Sequence, residues 1–275
     1  MAGHSRPPAK KSLGQNFLVS EGVAARIVEA LTPGSEDLIF EIGPGRGALT
    51  YPLSESGAHI VAVEIDSGLA GFLEGAFGDR DNVEIVCSDI REVDLDGAAA
   101  ARGKERYKIA GNIPYHLTSV ILLDLARWRD MEEAVIMVQQ EVAERVLARP
   151  GERNCGILSV FLQSYLGIER IMRVRPGSFS PRPKVESAVL RFAPLKERVG
   201  PGDRRGFLEL LKKVFSQRRK KLRSALRGAS GTPHARDVTE LAEATGTDLD
   251  RRPEELDLAS WVTLYNGYQE LLGRK

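Results

Sequence analysis

Five apolar runs rich in β-branched residues, each ending on a small or polar residue, constrain what this chain can fold into. They are DLIFEIG (37–43), HIVAVEID (59–66), NVEIVCSD (82–89), YKIAGN (107–112) and EAVIMVQ (133–139), and each gap between them is long enough for a helix or a connector. Continuous apolar runs of this length suit strands buried on both faces, and strands alternating with crossovers imply right-handed connections and a mostly parallel sheet. The first half is therefore expected to be a doubly wound α/β domain. EGVAARIVEAL (21–31), placed before the first strand, has apolar residues at helical spacing, Ser20 as its N-cap and TPG as its stop.

Beyond residue 139 the pattern changes. QEVAERVLARP and ILSVFLQSYL read as helices, and IERIMRVRPGSF (168–179) and KVESAVLRFAP (184–194) read as a terminal antiparallel pair of strands around a Pro-rich loop, which brings the sheet to seven strands. KERVGPGD (196–203) combines Gly, Pro and charge and marks the boundary: residues 1–197 form the α/β domain and 198–275 a small all-helical C-terminal domain.

Composition narrows the classes. The chain has 275 residues, 42% hydrophobic and 28% charged, which is ordinary for a globular protein with a sizeable core. It has no apolar run long enough for a membrane span, and MAGHSRPPAKK lacks a signal peptide's apolar centre, so a cytoplasmic location and no membrane partner are expected. Cys87 and Cys155 are read as reduced, packed thiols, and with His4, His59, His116 and His234 they show no ligand spacing; no metal is expected.

Chemistry gathers at the strand ends. In EIGPGRGALT (41–50), Gly43, Gly45 and Gly47 let backbone approach a ligand closely where a strand turns towards a helix. Gly43, Gly45 and Ala48 also satisfy the dinucleotide pattern G-x-G-x-x-[GA], so this loop alone does not choose between ligands. Glu64 ends the second strand, 21 residues after Gly43, as suits a carboxylate accepting from both ribose hydroxyls, and Asp89 ends the third. Together they outline an adenosine-shaped pocket. Asp66 is more simply a helix cap, and Glu41 is given at most a supporting role behind these.

GNIPYHLTS (111–119) ends the fourth strand in the same cleft. The amide of Asn112, the carbonyl of Ile113, held extended by Pro114, and the ring of Tyr115 provide two acceptors and a stacking face. A planar exocyclic amine requires that set, and an adenine N6, a poor nucleophile, would be held there in line with an electrophile such as a methyl sulfonium.

On these motifs the chain resembles the ribosomal RNA adenine N6,N6-dimethyltransferases of the KsgA (RsmA) family, which act on two adjacent adenosines near the 3′ end of small-subunit (16S) RNA. KSLGQNFL (11–18), EIGPGRGALT, VEID, SDI, GNIPY, QQEVAERV, FSPRPKVESAV and FSQRRKKLR occur in that family's order. The resemblance implies a Rossmann-like class I methyltransferase fold, a small helical C-terminal domain and S-adenosylmethionine as methyl donor. It also implies that Asn16, Leu18, Gly43, Gly45, Glu64, Asp89 and Asn112 bind the donor. Asn112, Ile113, Pro114 and Tyr115 would hold the target base, with Phe179 on its opposite face. Ile113 and His116 depart from the residues common in the family.

From Asp203 to Arg227 ten basic residues stand against two acidic ones, with apolar residues at near-helical spacing, so one face can pack while the charges stay wet. Lys184, Arg218, Arg219, Lys220, Lys221 and Arg223 are candidates to meet RNA phosphates, with Lys10 and Lys11 adding to them. A monomer acting on the small ribosomal subunit is the leading expectation. The alternatives are a resistance-type enzyme acting on large-subunit RNA and a mainly non-catalytic assembly checkpoint factor.

Overall fold

The computed structural model describes residues 7–10, 14–115, 117–227 and 235–273. Lys11, His4, His116 and His234 lie outside the described residues.

The strands are β1 (Phe17–Leu18), β2 (Leu38–Ile42), β3 (His59–Glu64), β4 (Val83–Cys87), β5 (Tyr107–Asn112), β6 (Met131–Gln139), β7 (Leu166–Val174), β8 (Phe179–Ser180) and β9 (Ser187–Pro194). Helices alternate with them: α1 (Glu21–Leu31), α2 (Thr50–Ser54), α3 (Ser67–Phe77), α4 (Leu95–Ala101), α5 (Thr118–Leu125), α6 (Gln140–Leu147) and α7 (Ile157–Gln163), followed by α8 (Arg204–Phe215), α9 (Leu222–Arg227), α10 (Ala235–Thr245) and α11 (Leu258–Gly273). Seven strands form one sheet in the order β4-β3-β2-β5-β6-β9-β7, parallel from β4 to β6 and antiparallel at β6–β9. This is the Rossmann-like sheet expected. All five apolar runs are strands, and strand order reverses between β2 and β5, where an open α/β sheet leaves a crevice at its carboxyl edge.

Close packing at that reversal depends on Gly111. It lies opposite Ile42, and a Cβ there would come within 2.9 Å of the Ile42 carbonyl oxygen. Under the sheet, α1 starts at Ser20, whose hydroxyl accepts from the Val23 N–H, buries Ala24, Ile27 and Leu31, and stops at Thr32 with φ 43°. At the other end of β5, Lys108 is buried with its ammonium 3.0 Å from Asp37 and 3.4 Å from Glu133, and it donates to the Leu31 and Thr32 carbonyls. Burial pulls this ammonium's pKa down, and the two carboxylates outweigh it and raise it.

The chain divides into two units, residues 1–143 with 168–194, and 144–167 with 195–275. The sequence places a boundary at 197/198; by contacts, residues 144–167 group with residues 195–275. The physical reason is aromatic. Phe161 and Tyr165 sit 6.3 and 6.5 Å from the Phe207 ring, Phe207 meets Tyr265 edge-on at 5.4 Å, and Phe161 and Phe207 are fully buried. A second pair, Phe215 and Trp261, stacks at 5.6 Å.

One reading is corrected. Cys155 is buried, but Cys87 is exposed on the edge strand β4, so it is not a packed thiol. Within the basic segment α8 ends at Phe215, the chain turns through Ser216–Lys221, and α9 begins at Leu222. Ser216 bonds back to the Lys213 carbonyl, and the Lys220 N–H donates to Gln217, which closes a turn instead of extending α8. No described helix is long and apolar enough to cross a membrane.

Candidate active site

The carboxyl ends of β2, β3 and β5, with the segment after β4, surround a cleft of about 1040 Å³, counted with the open solvent at its mouth. Gly43, Gly45, Glu64, Asp89, Asn112, Ile113, Pro114 and Tyr115 all line it, so the sheet gathers residues up to 72 positions apart. Gly43 and Gly45 have φ of 66° and 61°, a region that residues with a Cβ rarely enter. That conformation turns the Gly45 N–H onto Glu64, whose Oε2 accepts it at 3.0 Å, while Oε1 accepts the Asp66 N–H, also at 3.0 Å. Glu64 is buried, and burial raises its pKa against the pull of these N–H groups. Its carboxylate is thereby immobilised facing the cleft.

Asp89 accepts from the Arg91 N–H at 3.0 Å and is gripped by the Arg91 guanidinium, with Nε at 3.0 and 3.1 Å from its two oxygens. Those bonds to Arg91, foremost, hold its pKa below the ordinary aspartate value in spite of partial burial. Charge-assisted forks of this kind fix the plane of a carboxylate.

At the end of β5, the Asn112 side-chain N–H donates to the Asn16 carbonyl at 3.1 Å. Its Oδ1 and the Ile113 carbonyl carry no hydrogen bond among the described residues, and both belong to cleft-lining residues. Ile113 buries its side chain, and Pro114 uses its carbonyl to accept from the Leu117 N–H and the Thr118 hydroxyl, anchoring the motif to the start of α5. Tyr115 is half-buried; its hydroxyl is 3.4 Å from Ser187 Oγ, and burial raises its pKa.

Residues 14–18 of the N-terminal segment line the same cleft, and residues 7–10 bond to residues around it. Lys10 Nζ is 2.7 Å from Asp66 Oδ1, Gln15 Nε2 donates to Oδ2 at 3.3 Å, and the Pro7 carbonyl accepts from the Arg46 guanidinium at 2.7 and 3.1 Å. Arg46 also lies over the Phe17 ring, 4.2 Å from its centre. Asp66 caps α3, as read from the sequence, and in addition it ties down this segment. Asn16 and Leu18 line the cleft, Asn16 through a side chain that folds back to the Gly14 carbonyl. Sequence reading missed Lys10, Gln15, Arg46 and Arg91 as members of the site. Apart from Arg91, their partners lie 39 to 56 residues away, and no local pattern signals such a pairing.

Phe179 is not brought to the cleft. It is 4% exposed, pairs in β8 with Leu18 of β1, and belongs to the core cluster that includes Val174 and Val189. Lys184 is exposed between β8 and β9. Of the basic candidates in the helical unit, Arg219 and Lys220 are exposed and form no ion pair among the described residues. Arg218 donates to the Arg153 carbonyl and lies 3.8 Å from Glu254, while Lys221 and Arg223 are 3.7 and 3.3 Å from Asp250. No group of three or more His, Cys, Asp or Glu is gathered as a metal would require among the described residues.

Comparison with known proteins gives the family of the chain. Residues 7–270 match the model of the family described as ribosomal RNA adenine dimethylase. A Geobacter metallireducens protein named Ribosomal RNA small subunit methyltransferase A is 44% identical over 97% of this chain and 98% of its own length. A protein of the same name from Anaeromyxobacter dehalogenans is 44% identical over 93% of this chain and 92% of its own. Among solved structures, a dimethyladenosine transferase from Plasmodium falciparum superposes with a TM-score of 0.77 at 22% identity, covering 93% of this chain and 98% of that one. The 23S rRNA methyltransferase ErmE superposes at 0.67 and 24% identity, covering 92% and 100%. At those identities the two structures are alike in fold.

Proposed function

The chain belongs to the ribosomal RNA adenine dimethylase family, and from that premise we propose that it dimethylates, at N6, two adjacent adenosines near the 3′ end of small-subunit ribosomal RNA. In this reading S-adenosylmethionine is the methyl donor, and the protein acts as a single chain in the cytoplasm during small-subunit biogenesis. The observation that carries the proposal is the pair of unpartnered acceptors, Asn112 Oδ1 and the Ile113 carbonyl, beside the Tyr115 ring in the cleft that also holds Glu64 and Asp89.

The donor fits the residues present. Among the described residues that line the cleft, three are acids, Glu41, Glu64 and Asp89, and one is basic, Arg46, which is turned to the Pro7 carbonyl and the Phe17 ring. Such a lining favours a ligand carrying positive charge and disfavours the pyrophosphate of a dinucleotide. Glu64 is held where a ribose would present its hydroxyls, and Asp89, kept ionised, accepts from an adenine amine. Gly43 and Gly45 leave space for the amino-acid end.

When bound, S-adenosylmethionine supplies a sulfonium methyl electrophilic enough to need no metal. The chain's task is then orientation and electrostatics. The Asn16 carbonyl, by accepting the Asn112 Nδ2–H, leaves Oδ1 as the amide atom available to the target base. Oδ1 and the Ile113 carbonyl accept the two N–H bonds of N6 and stabilise the positive charge that grows on it as its lone pair leaves the ring. Tyr115 stacks on the base and keeps N6 on the line of attack. The surplus proton passes from N6 to solvent, so no side chain need act as general base. Lys184, Arg219 and Lys220, with the partly paired Arg218, Lys221 and Arg223, supply phosphate contacts.

Incubating the protein with labelled S-adenosylmethionine and unmethylated small subunits, then mapping the modified nucleotides, tests the reading. Label on two adjacent adenosines of the small-subunit RNA is expected. No incorporation, or incorporation only into protein-free large-subunit RNA, would overturn it. A binding-only checkpoint role predicts that Asn112→Ala changes nothing measurable, whereas the enzyme reading predicts subunit binding without methyl transfer.

A further inference from the structure

Among the described acids that line the cleft, Glu41 is the one to which the reaction above gives no task. It lies on β2 between Ala62 of β3 and Ala110 of β5, is 1% exposed, and lines the cleft, yet its Oε2 has no hydrogen-bond partner. Thr50, at the start of α2, is buried beside it and turns its hydroxyl and N–H to the carboxyl. No cation offsets the carboxyl among the described residues that act on it. The neighbouring strands present alanines at its level, α1 buries only Ala24, Ile27 and Leu31, and α2 contributes the Thr50 hydroxyl and N–H. The charge named as reaching Glu41 is that of Glu64, of the same sign.

We propose that Glu41 is a positioning residue that makes the cleft prefer the methyl donor, with its sulfonium charge, to the thioether product, which has lost that charge and keeps only its amino-acid ammonium and carboxylate. The inference rests on the methyl-donor reading above. An isolated carboxylate is costly to keep in an apolar enclosure, so such a group either carries a proton or receives a positive charge. Burial, the largest influence, raises the Glu41 carboxyl from 4.5 to about 8; the Glu64 charge adds to this, and the Thr50 hydroxyl and N–H oppose it. At neutral pH the group therefore holds its proton until a positive ligand enters. The donor carries a sulfonium charge that its product lacks, so the donor drives more ionisation of Glu41 and releases more of that proton to the buffer. The same residue thus favours loading and release of spent product.

Titration calorimetry of donor and thioether product tests this directly. On the unaltered chain, measured in two buffers of different ionisation enthalpy, donor binding should release more protons than product binding, and donor affinity should rise as pH rises towards about 8. In Glu41→Gln the donor-to-product affinity ratio should fall by roughly five- to tenfold, a modest coupling between sites, and the donor's pH dependence should flatten. Glu41→Asp should recover much of both, which a merely structural role would not produce. If the unaltered chain binds neither ligand, the methyl-donor reading itself fails. If both bind with equal proton release, or if Glu41→Gln keeps the ratio and the pH dependence, the role assigned to Glu41 fails while that reading stands.

Discussion

The strand-end cleft and the turn between α8 and α9 both collect charged side chains, and they hold them by opposite means. In the cleft, Glu64 is fixed by two backbone N–H groups, Asp66 by Lys10, Gln15 and Gly68, and Asn112 by a backbone carbonyl. In the turn, Arg219 and Lys220 point to solvent with no ion pair among the described residues, and Lys221 and Arg223 share one exposed aspartate. A buried polar group is useful because it cannot reorganise, and an exposed charge is useful because it can adapt to a phosphate backbone. The cleft should therefore be sensitive to single atoms, and the turn to net charge and salt.

The largest expected effect follows from the cleft's rigidity. Asn112→Ala should lower single-turnover methyl transfer by about 10²–10³-fold, the usual cost of removing one preorganised polar group at a reacting centre, with the fold unchanged by circular dichroism. Tyr115→Ala should cost about 1–3 kcal/mol of base stacking, read as weaker kcat/KM. Tyr115→Phe should be nearly silent, because its hydroxyl reaches Ser187 only at 3.4 Å.

Gly111→Ala probes the packing that brings the cleft together. Its Cβ would press on the Ile42 carbonyl, and the loss should be about 1–3 kcal/mol in denaturant unfolding, as for other overpacked sites.

The turn should respond differently. Arg219→Ala and Lys220→Ala should each reduce the slope of log affinity for ribosomal RNA against log salt by about 0.7–0.9, leaving donor binding untouched. Arg223→Ala, already paired with Asp250, should do less.

The smallest effect belongs to Lys10→Ala. Lys10 is half exposed, so its pair with Asp66 should be worth less than about 1 kcal/mol. Burial would raise Asp66, but the bonds from Lys10, Gln15 and the Gly68 N–H prevail and hold it below its ordinary 3.8. The contribution of a carboxylate depressed in this way is present above 3.8 and is lost as pH falls through the lower folded value. The gap in unfolding free energy between the native chain and Lys10→Ala should accordingly close in acid.

Much of this was readable from the chain alone. The five apolar runs, Ser20 as a cap, and the glycines before α2 are local signals, because strand period, helix capping and left-handed backbone are decided within a few residues. The cleft followed from topology: parallel strands with right-handed crossovers must bring their carboxyl ends to one edge, so Gly43, Glu64, Asp89 and Asn112 had to meet. What the tertiary structure decided were the partners of those residues and the ends of pattern. Arg46 on Pro7, Lys10 on Asp66 and Asn112 on Asn16 are long-range pairs with no spacing rule. The helical spacing from Asp203 to Arg227 continued through a turn because apolar period reports which side packs, and only hydrogen bonds closed on Lys213 and Gln217 report where a helix stops. Phe179 and Glu41 show the same limit in burial. An aromatic ring beside prolines and an acid at a strand end look alike wherever they point. Only the packing around them put the ring in the core and left one oxygen of the carboxyl unpartnered at the cleft.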